Sequence, residues 1–187
     1  MDKELSLYER FRGHLNTINE HKIMVMKHCF KCGLYKQGLL HDMSKYLPIE
    51  FLAGVKYFQG DRSPNSAQRE AEGYSDAWLH HKGRNKHHFE YWIDYTVIKE
   101  EGIQGMPMPI EYVIEMFCDR VAACKIYHKD EYKDRDALDY FMRGKGYYVM
   151  HKDAEALLEK LLRMLAINGE EYTFRYIRYL LRKKKNS

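Results

Sequence analysis

The sequence has 187 residues, of which 45% are hydrophobic and 31% are charged. This balance is typical of a globular protein and excludes a disordered chain. The length suits one domain, residues 1–187, with its own buried core. No apolar stretch reaches the ~18 residues that a membrane span needs, and the polar start from Met1 to Glu4 is unlike a signal peptide. We therefore expect a cytoplasmic protein with no membrane partner.

The net charge of +4 is concentrated near the C-terminus, from Arg182 to Lys185. Cations suit the C-terminal end of a helix, and no nucleic-acid-binding motif occurs elsewhere, so nucleic acid is not an expected partner. Cys29 and Cys32 have the C-x-x-C spacing but lie within a helical pattern without a second such pair, which argues against a zinc or redox role. All four cysteines are interpreted as free thiols in a reducing compartment.

Helical periodicity runs through nearly the whole chain. The first helix is predicted from about Glu4 to Cys32, with a break near Gly13 and with Gly33 as its C-terminal cap. A loop with a short strand on one side is predicted over Gly102–Pro109. The other helices are predicted at about Gln37–Lys45, Ile49–Phe58, Ser66–Lys82, Lys86–Val97, Pro109–His128, Lys152–Ile167 and Glu170–Arg182. Seven or more helices without a strand pair predict an all-α bundle, closed by the C-terminal helices at about 151–183.

The apolar pair Leu39-Leu40 is followed directly by His41 and Asp42. A neutral imidazole and a carboxylate are both good ligands for divalent metals. Side chains next to each other on a helix point about 100° apart, so this pair suits a single ion best where a helix ends. Lys45 lies one turn further on.

Four of the ten histidines fall within nine residues, as the doublets His80-His81 and His87-His88. The turn between the doublets could bring imidazoles from two helices towards one point. The alternative for each of them is a hydrogen-bonded histidine at an aromatic-lined helix corner. Three others have no such context and are interpreted as structural or surface residues: His14, His128 and His151.

Candidate ligands also occur upstream and downstream of the doublets. His21 and His28 lie two helical turns apart, about 10 Å, which is too far for one ion, and the residues favour His21 without excluding His28. Asp119 lies in an apolar helical segment, where an unpaired carboxylate is costly. Arg120 does not face it on a helix, so a metal or an imidazole is the better partner. Glu115, one turn earlier, would support the site or face solvent.

In chain order these candidates resemble the HD-domain superfamily of metal-dependent phosphohydrolases, whose H-D-x-x-K signature is similar to the run from His41 to Lys45. More narrowly, the chain resembles the HD-like family DUF5662, whose function is unknown. The matching elements span about residues 20–125 and are His21-Lys22, Gly33, the run from His41 to Phe51, Trp78 to His81, Asn85 to His88, and Glu115 to Arg120. The place of the His-Lys pair relative to Gly33 in the family pattern selects His21 over His28.

The resemblance implies an HD-like helical bundle that binds one or two divalent ions (Mn, Fe, Co, Ni, Mg or Zn). It implies a first site formed by His21, His41, Asp42 and Asp119. A second site would be formed by His81 and one of His87 and His88, with Asp42 as a bridge. The interval from His81 to His87 is shorter than in two-metal HD enzymes, so the number of ions stays open.

The same resemblance implies hydrolysis of a small phosphorylated substrate, such as a nucleotide, by metal-activated water. Asp42 and Lys45 would be catalytic. Lys45, Arg84 and Arg120 would hold phosphate oxygens, and surface pairing with acidic residues is the alternative for the two arginines.

Two other functions are alternatives to phosphoester hydrolysis. Some HD-fold proteins are di-iron oxygenases with a six-ligand His/His-Asp/His/His/Asp set, which this chain could supply. A non-catalytic metal-binding protein would instead have a site with no open coordination position. The substrate and the oligomeric state, including a homo-oligomer, stay open.

Overall fold

The structure, a computed structural model, describes residues 5–186. This range contains eight α-helices and one two-stranded antiparallel sheet, which confirms the all-α class. The predicted helix start at Glu4, and the polar Met1–Glu4 segment, lie outside the described residues. The helices are α1 (Leu7–Cys32), α2 (Tyr35–Leu40), α3 (Pro48–Lys56), α4 (Pro64–Glu72), α5 (Asp76–Lys82), α6 (Ile110–His128), α7 (Asp136–Gly144) and α8 (Lys152–Lys185). The strands are β1 (Ile93–Tyr95) and β2 (Ile103–Gly105). Among the described residues, no helix is both long enough and apolar enough to cross a membrane.

Helix α1 is defined by caps at both ends. Ser6 and Glu9 form a reciprocal capping box at its start, which satisfies two backbone donors that the helix leaves free. Gly33 ends it in the left-handed conformation, with φ of 83°, as predicted. The predicted break near Gly13 is wrong. A Cβ there would lie 2.3 Å from the ring of Phe58, so this glycine permits close packing within an unbroken helix.

The hydrophobic core lies where α1, α6, α7 and α8 meet. Its fully buried side chains include Val25, Phe117, Phe141 and Leu161. Burial of such side chains stabilises the fold by roughly 1.5–3 kcal/mol each. The cysteines of the described range are free thiols, and Cys29, Cys32 and Cys118 are buried in this core. The C-x-x-C spacing therefore serves packing between α1 and α6.

Two predicted helices differ from the structure in the middle of the chain. The helix predicted over Ser66–Lys82 is split into α4 and α5, because Gly73 adopts a left-handed conformation with φ of 82°. The helix predicted over Lys86–Val97 is wrong: a 3-10 turn at Phe89–Trp92 leads into β1, which pairs with β2. Backbone pairing with a segment ten residues away overrides the local helical pattern here.

The C-terminal part of the chain also contains one helix that the pattern did not predict. Helix α7 lies between His128 and Lys152, and its apolar face is buried through Ala137, Leu138 and Phe141. Helix α8 has two halves, as predicted, because Gly169 has φ of 76° and ψ of 178° within it.

We predict that Gly169→Ala lowers the free energy of unfolding by about 1–3 kcal/mol. The conformation of Gly169 is one that side chains with a Cβ rarely adopt, whereas a Cβ there would meet only Asp134 Oδ2, at 3.6 Å. Urea denaturation followed by circular dichroism measures the loss. The control is Asn168→Ala at the exposed neighbouring position, which should change stability by less than about 0.5 kcal/mol. Equal stability of both variants would contradict the assignment of strain to Gly169.

Candidate metal centre

The site is organised by the turn that follows α2. Helix α2 ends at Leu40, earlier than the predicted Lys45, and Asp42 adopts a left-handed backbone with φ of 54°. Lys22 of α1 donates from Nζ to the carbonyl oxygens of Leu39 and His41, each at 2.9 Å, and so satisfies acceptors at the helix end. Such a backbone conformation costs of order 1–3 kcal/mol at a non-glycine residue. Because Asp42 is not in a helical conformation, its side chain does not point about 100° away from that of His41 as it would on a helix. His41 Nε2 lies 3.3 Å from Asp42 Oδ2.

A first group of candidate ligands combines α1, the turn and α6. His21 Nε2 lies 2.8 Å from Asp119 Oδ1 and 3.8 Å from Asp42 Oδ2. His41 Nε2 lies 3.6 Å from the same oxygen of Asp119. The ligand atoms of these four residues all lie within 4.8 Å of one another. The structure thus brings together the predicted first set.

A second group lies on the other side of Asp42. Its Oδ1 is 3.3 Å from Nε2 of His81 at the end of α5 and 3.3 Å from Nε2 of His87. His88 belongs to the same group, and its ring packs 4.2 Å from that of His87. The short interval between the doublets is sufficient because α5 ends at Lys82 and the chain reverses before His87. Asp42 therefore directs one carboxylate oxygen towards each group.

Two further carboxylates fix the imidazole rings from behind. Glu115 Oε1 lies 2.9 Å from Nδ1 of His41 and 3.2 Å from Nδ1 of His87. Glu50 Oε2 lies 2.7 Å from Nδ1 of His81. A carboxylate on one ring nitrogen aims the other nitrogen and makes it a better ligand. Glu50 was missed from the sequence, where it appeared only as part of the run that follows the His-Asp pair.

Two independent observations indicate that the candidate ligands fit a divalent metal. Several inward-facing atoms are buried and form no hydrogen bond within residues 5–186, namely His41 Nε2, Asp42 Oδ1, His87 Nε2 and His88 Nε2. Ligand atoms about 2.1 Å from one ion, at tetrahedral or octahedral angles, lie about 3.0–3.4 Å apart, which matches the 3.3 Å separations around Asp42. These buried His, Asp and Glu groups could therefore hold a metal ion.

The charges of the cluster also favour a cation. Burial acts against ionisation of Asp42, but His41, Lys45 and His81 outweigh it and hold the pKa of this carboxyl well below its usual range. Burial also opposes ionisation of Asp119, but the hydrogen bond from His21 and the nearby His41 imidazole outweigh it and hold the pKa of this carboxyl well below its usual range. Within the described residues, Lys45 is the one lysine that forms an ion pair with a carboxylate of the cluster, and the cluster contains four carboxylates, namely Asp42, Glu50, Glu115 and Asp119. Positive charge is needed there, from a metal or from protonated imidazoles.

A cavity of about 520 Å³ adjoins the cluster, and its lining includes four of the candidate ligands, His21, His81, His88 and Asp119. This volume lies within the range of small-molecule sites. Lys45 also lines the cavity, and its Nζ lies 2.6 Å from Asp42 Oδ2.

The two arginines that the sequence proposed for phosphate binding differ in position. Arg120 lines the cavity, and its Nη1 is buried without a hydrogen bond inside the described range. Arg84 is exposed at the end of α5, where its Nη1 lies 3.5 Å from the carbonyl oxygen of His80. It is not among the residues that line the cavity.

The remaining histidines lie apart from both ligand groups. His28 is buried between α6 and α8, with Nδ1 3.4 Å from the carbonyl oxygen of Cys118. His151 caps the start of α8, and His128 pairs with Asp136. His14 is buried and lines the cavity, because Gly54 leaves room for its ring.

The fold and the site thus define an all-α protein with a buried His/Asp cluster that could bind metal. A family model described as "Family of unknown function (DUF5662)" matches residues 10–164. The chain therefore belongs to the DUF5662 family, and the matched region contains every candidate ligand. Searches of curated proteins and of solved structures found no match to the chain.

We predict that Glu115→Gln weakens binding of Mn²⁺ by about 10–100-fold, because the amide no longer orients His41 and His87 as a carboxylate does. Isothermal titration calorimetry of metal-stripped protein measures the affinity. The matched control is Glu111→Gln, one turn earlier on α6, where the carboxylate pairs with Lys184 at the surface. If both variants bind Mn²⁺ as tightly as the wild type, Glu115 does not support a metal site.

Proposed function

We propose that this protein is a metal-dependent phosphohydrolase of the HD-domain superfamily, acting on a small phosphorylated molecule such as a nucleotide. The observation that carries the proposal is the position of Asp42, with one oxygen towards each ligand group and Lys45 beside it at the cavity. The chain order of the ligands, His, His-Asp, His, His and Asp, supports assignment to the superfamily.

The protein's own residues would act by position and charge. His21, His41, Asp42 and Asp119 would hold one ion, and Asp42 with His81 and His87 or His88 a second. A divalent ion held there would supply water of lowered pKa and positive charge beside the phosphorus. Although burial opposes it, Asp42 and Asp119 raise the pKa of Lys45, which stays protonated and able to donate to a phosphate oxygen.

The proposed reaction is the hydrolysis of a phosphate ester by water. The oxygen of water bonds to phosphorus, and the phosphorus–oxygen ester bond breaks. The leaving oxygen takes up a proton equivalent to the one that the water releases. The products are an alcohol and inorganic phosphate, and no oxidant or reductant is needed.

We predict release of inorganic phosphate from a panel of nucleotides and other phosphoesters in the presence of Mn²⁺, Co²⁺, Ni²⁺ or Mg²⁺. Asp42→Ala should abolish it, because this carboxylate belongs to both ligand groups. Lys45→Met should lower kcat by about 10²-fold through loss of one charged donor. The control is Lys56→Met, an exposed lysine that pairs with Glu72 outside the cavity. Absence of phosphate release across the whole panel, with every metal, would contradict the proposal.

The second candidate function is that of a di-iron oxygenase. The specific observation in its favour is that the two ligand groups, seven residues in all, share Asp42, so that six of them, with one of His87 and His88, could hold two ions close together. Iron that stays bound through aerobic purification, at about two ions per chain, would favour this function. One zinc or manganese ion per chain would count against it.

The third candidate, a metal site with only a stabilising role, is less consistent with the cavity. A purely structural site is closed by its protein ligands. Here His21, His81, His88 and Asp119 all line a space large enough for a small molecule. The cavity therefore favours the two enzymatic functions over a metal site with only a stabilising role.

A further inference from the structure

Two of the charged side chains that line the cavity outside the ligand groups have a buried atom without a hydrogen-bond partner in residues 5–186. Glu90 and Arg120 both line it, and each has a buried atom, Oε2 and Nη1 respectively, that forms no hydrogen bond within the described residues. A buried donor or acceptor without a partner destabilises a protein, and a charged group does so more than a neutral one. A ligand in the cavity could supply the missing partners of Glu90 and Arg120.

Arg120 is held in place by aromatic rings. It follows Asp119 directly on α6, so its side chain leaves the helix about 100° away from that candidate ligand. Its guanidinium carbon lies 5.6 Å from the ring centre of Tyr148 and 5.9 Å from those of Tyr140 and Phe141. These contacts orient a planar group with several donors, one of which has no partner in the described chain.

Glu90 lines the same cavity as Tyr148, and it follows Phe89, whose ring contacts Tyr148. It lies in the 3-10 turn that begins at Phe89, and the ring of Phe89 packs 5.1 Å from that of Tyr148. The cavity therefore presents an acceptor, Glu90 Oε2, and the donors of Arg120, and its lining also includes Tyr140 and Tyr148.

We infer that Glu90 and Arg120 form a recognition subsite for a nitrogen heterocycle, of the nucleobase type, carried by the phosphorylated substrate. Glu90 would accept a hydrogen bond from an N–H of the ring edge, and Arg120 would donate to a ring nitrogen or carbonyl oxygen. This combination of donors beside acceptors is what base edges present. Aromatic side chains in the lining, such as Trp78 and Tyr140, would stack on a flat ring.

This inference rests on the proposed function for one point only, the placement of the phosphate end near Asp42 and Lys45. A sugar phosphate shares that end but has no planar edge to satisfy Glu90 and Arg120. Ribose 5-phosphate is therefore the matched ligand that separates the heterocycle from the rest of a nucleotide.

The test measures dissociation constants for AMP, GMP, CMP, UMP and ribose 5-phosphate with the purified full-length protein and Mn²⁺. Isothermal titration calorimetry at low temperature gives the constants, and phosphate release is followed in parallel. The variants are Glu90→Gln, which keeps the size of the side chain, and Arg120→Lys, which keeps its positive charge. The control is Arg143→Lys. Arg143 also contacts the Tyr140 ring but is exposed and does not line the cavity. Thermal melting confirms that each variant is folded.

At least one nucleotide should bind about tenfold or more tightly than ribose 5-phosphate, as one charge-assisted hydrogen bond can provide. Glu90→Gln and Arg120→Lys should each remove most of that preference, whereas Arg143→Lys should retain it. The inference is overturned if no probe binds, if ribose 5-phosphate binds as tightly as every nucleotide, or if both variants keep the preference. Selective binding would support the subsite even if no phosphoester of the wider panel released phosphate with any metal, and that second result would contradict the phosphohydrolase. Phosphate release without preference among the probes would support the phosphohydrolase and contradict the subsite.

Discussion

The structure depends on the burial of one carboxylate, that of Asp42, at a turn between two helices. An ionised carboxylate away from water is costly unless cations and hydrogen-bond donors surround it. Here the surroundings are three imidazoles within 3.3 Å of its two oxygens and Lys45 Nζ at 2.6 Å. The left-handed backbone at Asp42 is the local strain that this arrangement requires. Strained residues of this kind cluster at functional sites.

The helices around Asp42 are positioned by the same cluster. Contact of His21 with Asp119 fixes α1 against α6, and Glu115 links α6 to both the turn and His87. Glu50 links α3 to α5 through His81. The apolar core lies beneath this polar layer and keeps α1 and α6 rigid, which a site of defined geometry needs. The opposite side opens into the cavity, where Lys45, Glu90 and Arg120 supply charge without belonging to the ligand groups.

Local signals were sufficient where one residue determines the outcome. Gly33 ends α1 and Gly169 interrupts α8 because each adopts a positive φ that glycine allows. Asp119 was predicted as a candidate ligand because a carboxylate in an apolar helical segment needs a partner, whereas the choice of His21 over His28 rested on the resemblance to DUF5662. The end of α2 could not be predicted from the local sequence, because Lys22 of α1 donates to the carbonyl oxygens at that helix end. The role of Glu50 and the β1–β2 pair likewise depend on contacts between distant segments.

The most direct test of this account is anomalous X-ray diffraction from crystals of the full chain grown with Mn²⁺. We expect at least one manganese peak beside the Asp42 carboxylate, between it and the His21, His41 and Asp119 group. A second peak towards His81 and His87 would establish Asp42 as a bridge. Absence of any peak at Asp42 under saturating Mn²⁺, with its oxygens bonded only to protonated imidazoles and Lys45, would contradict the central claim that this buried carboxylate is a metal ligand.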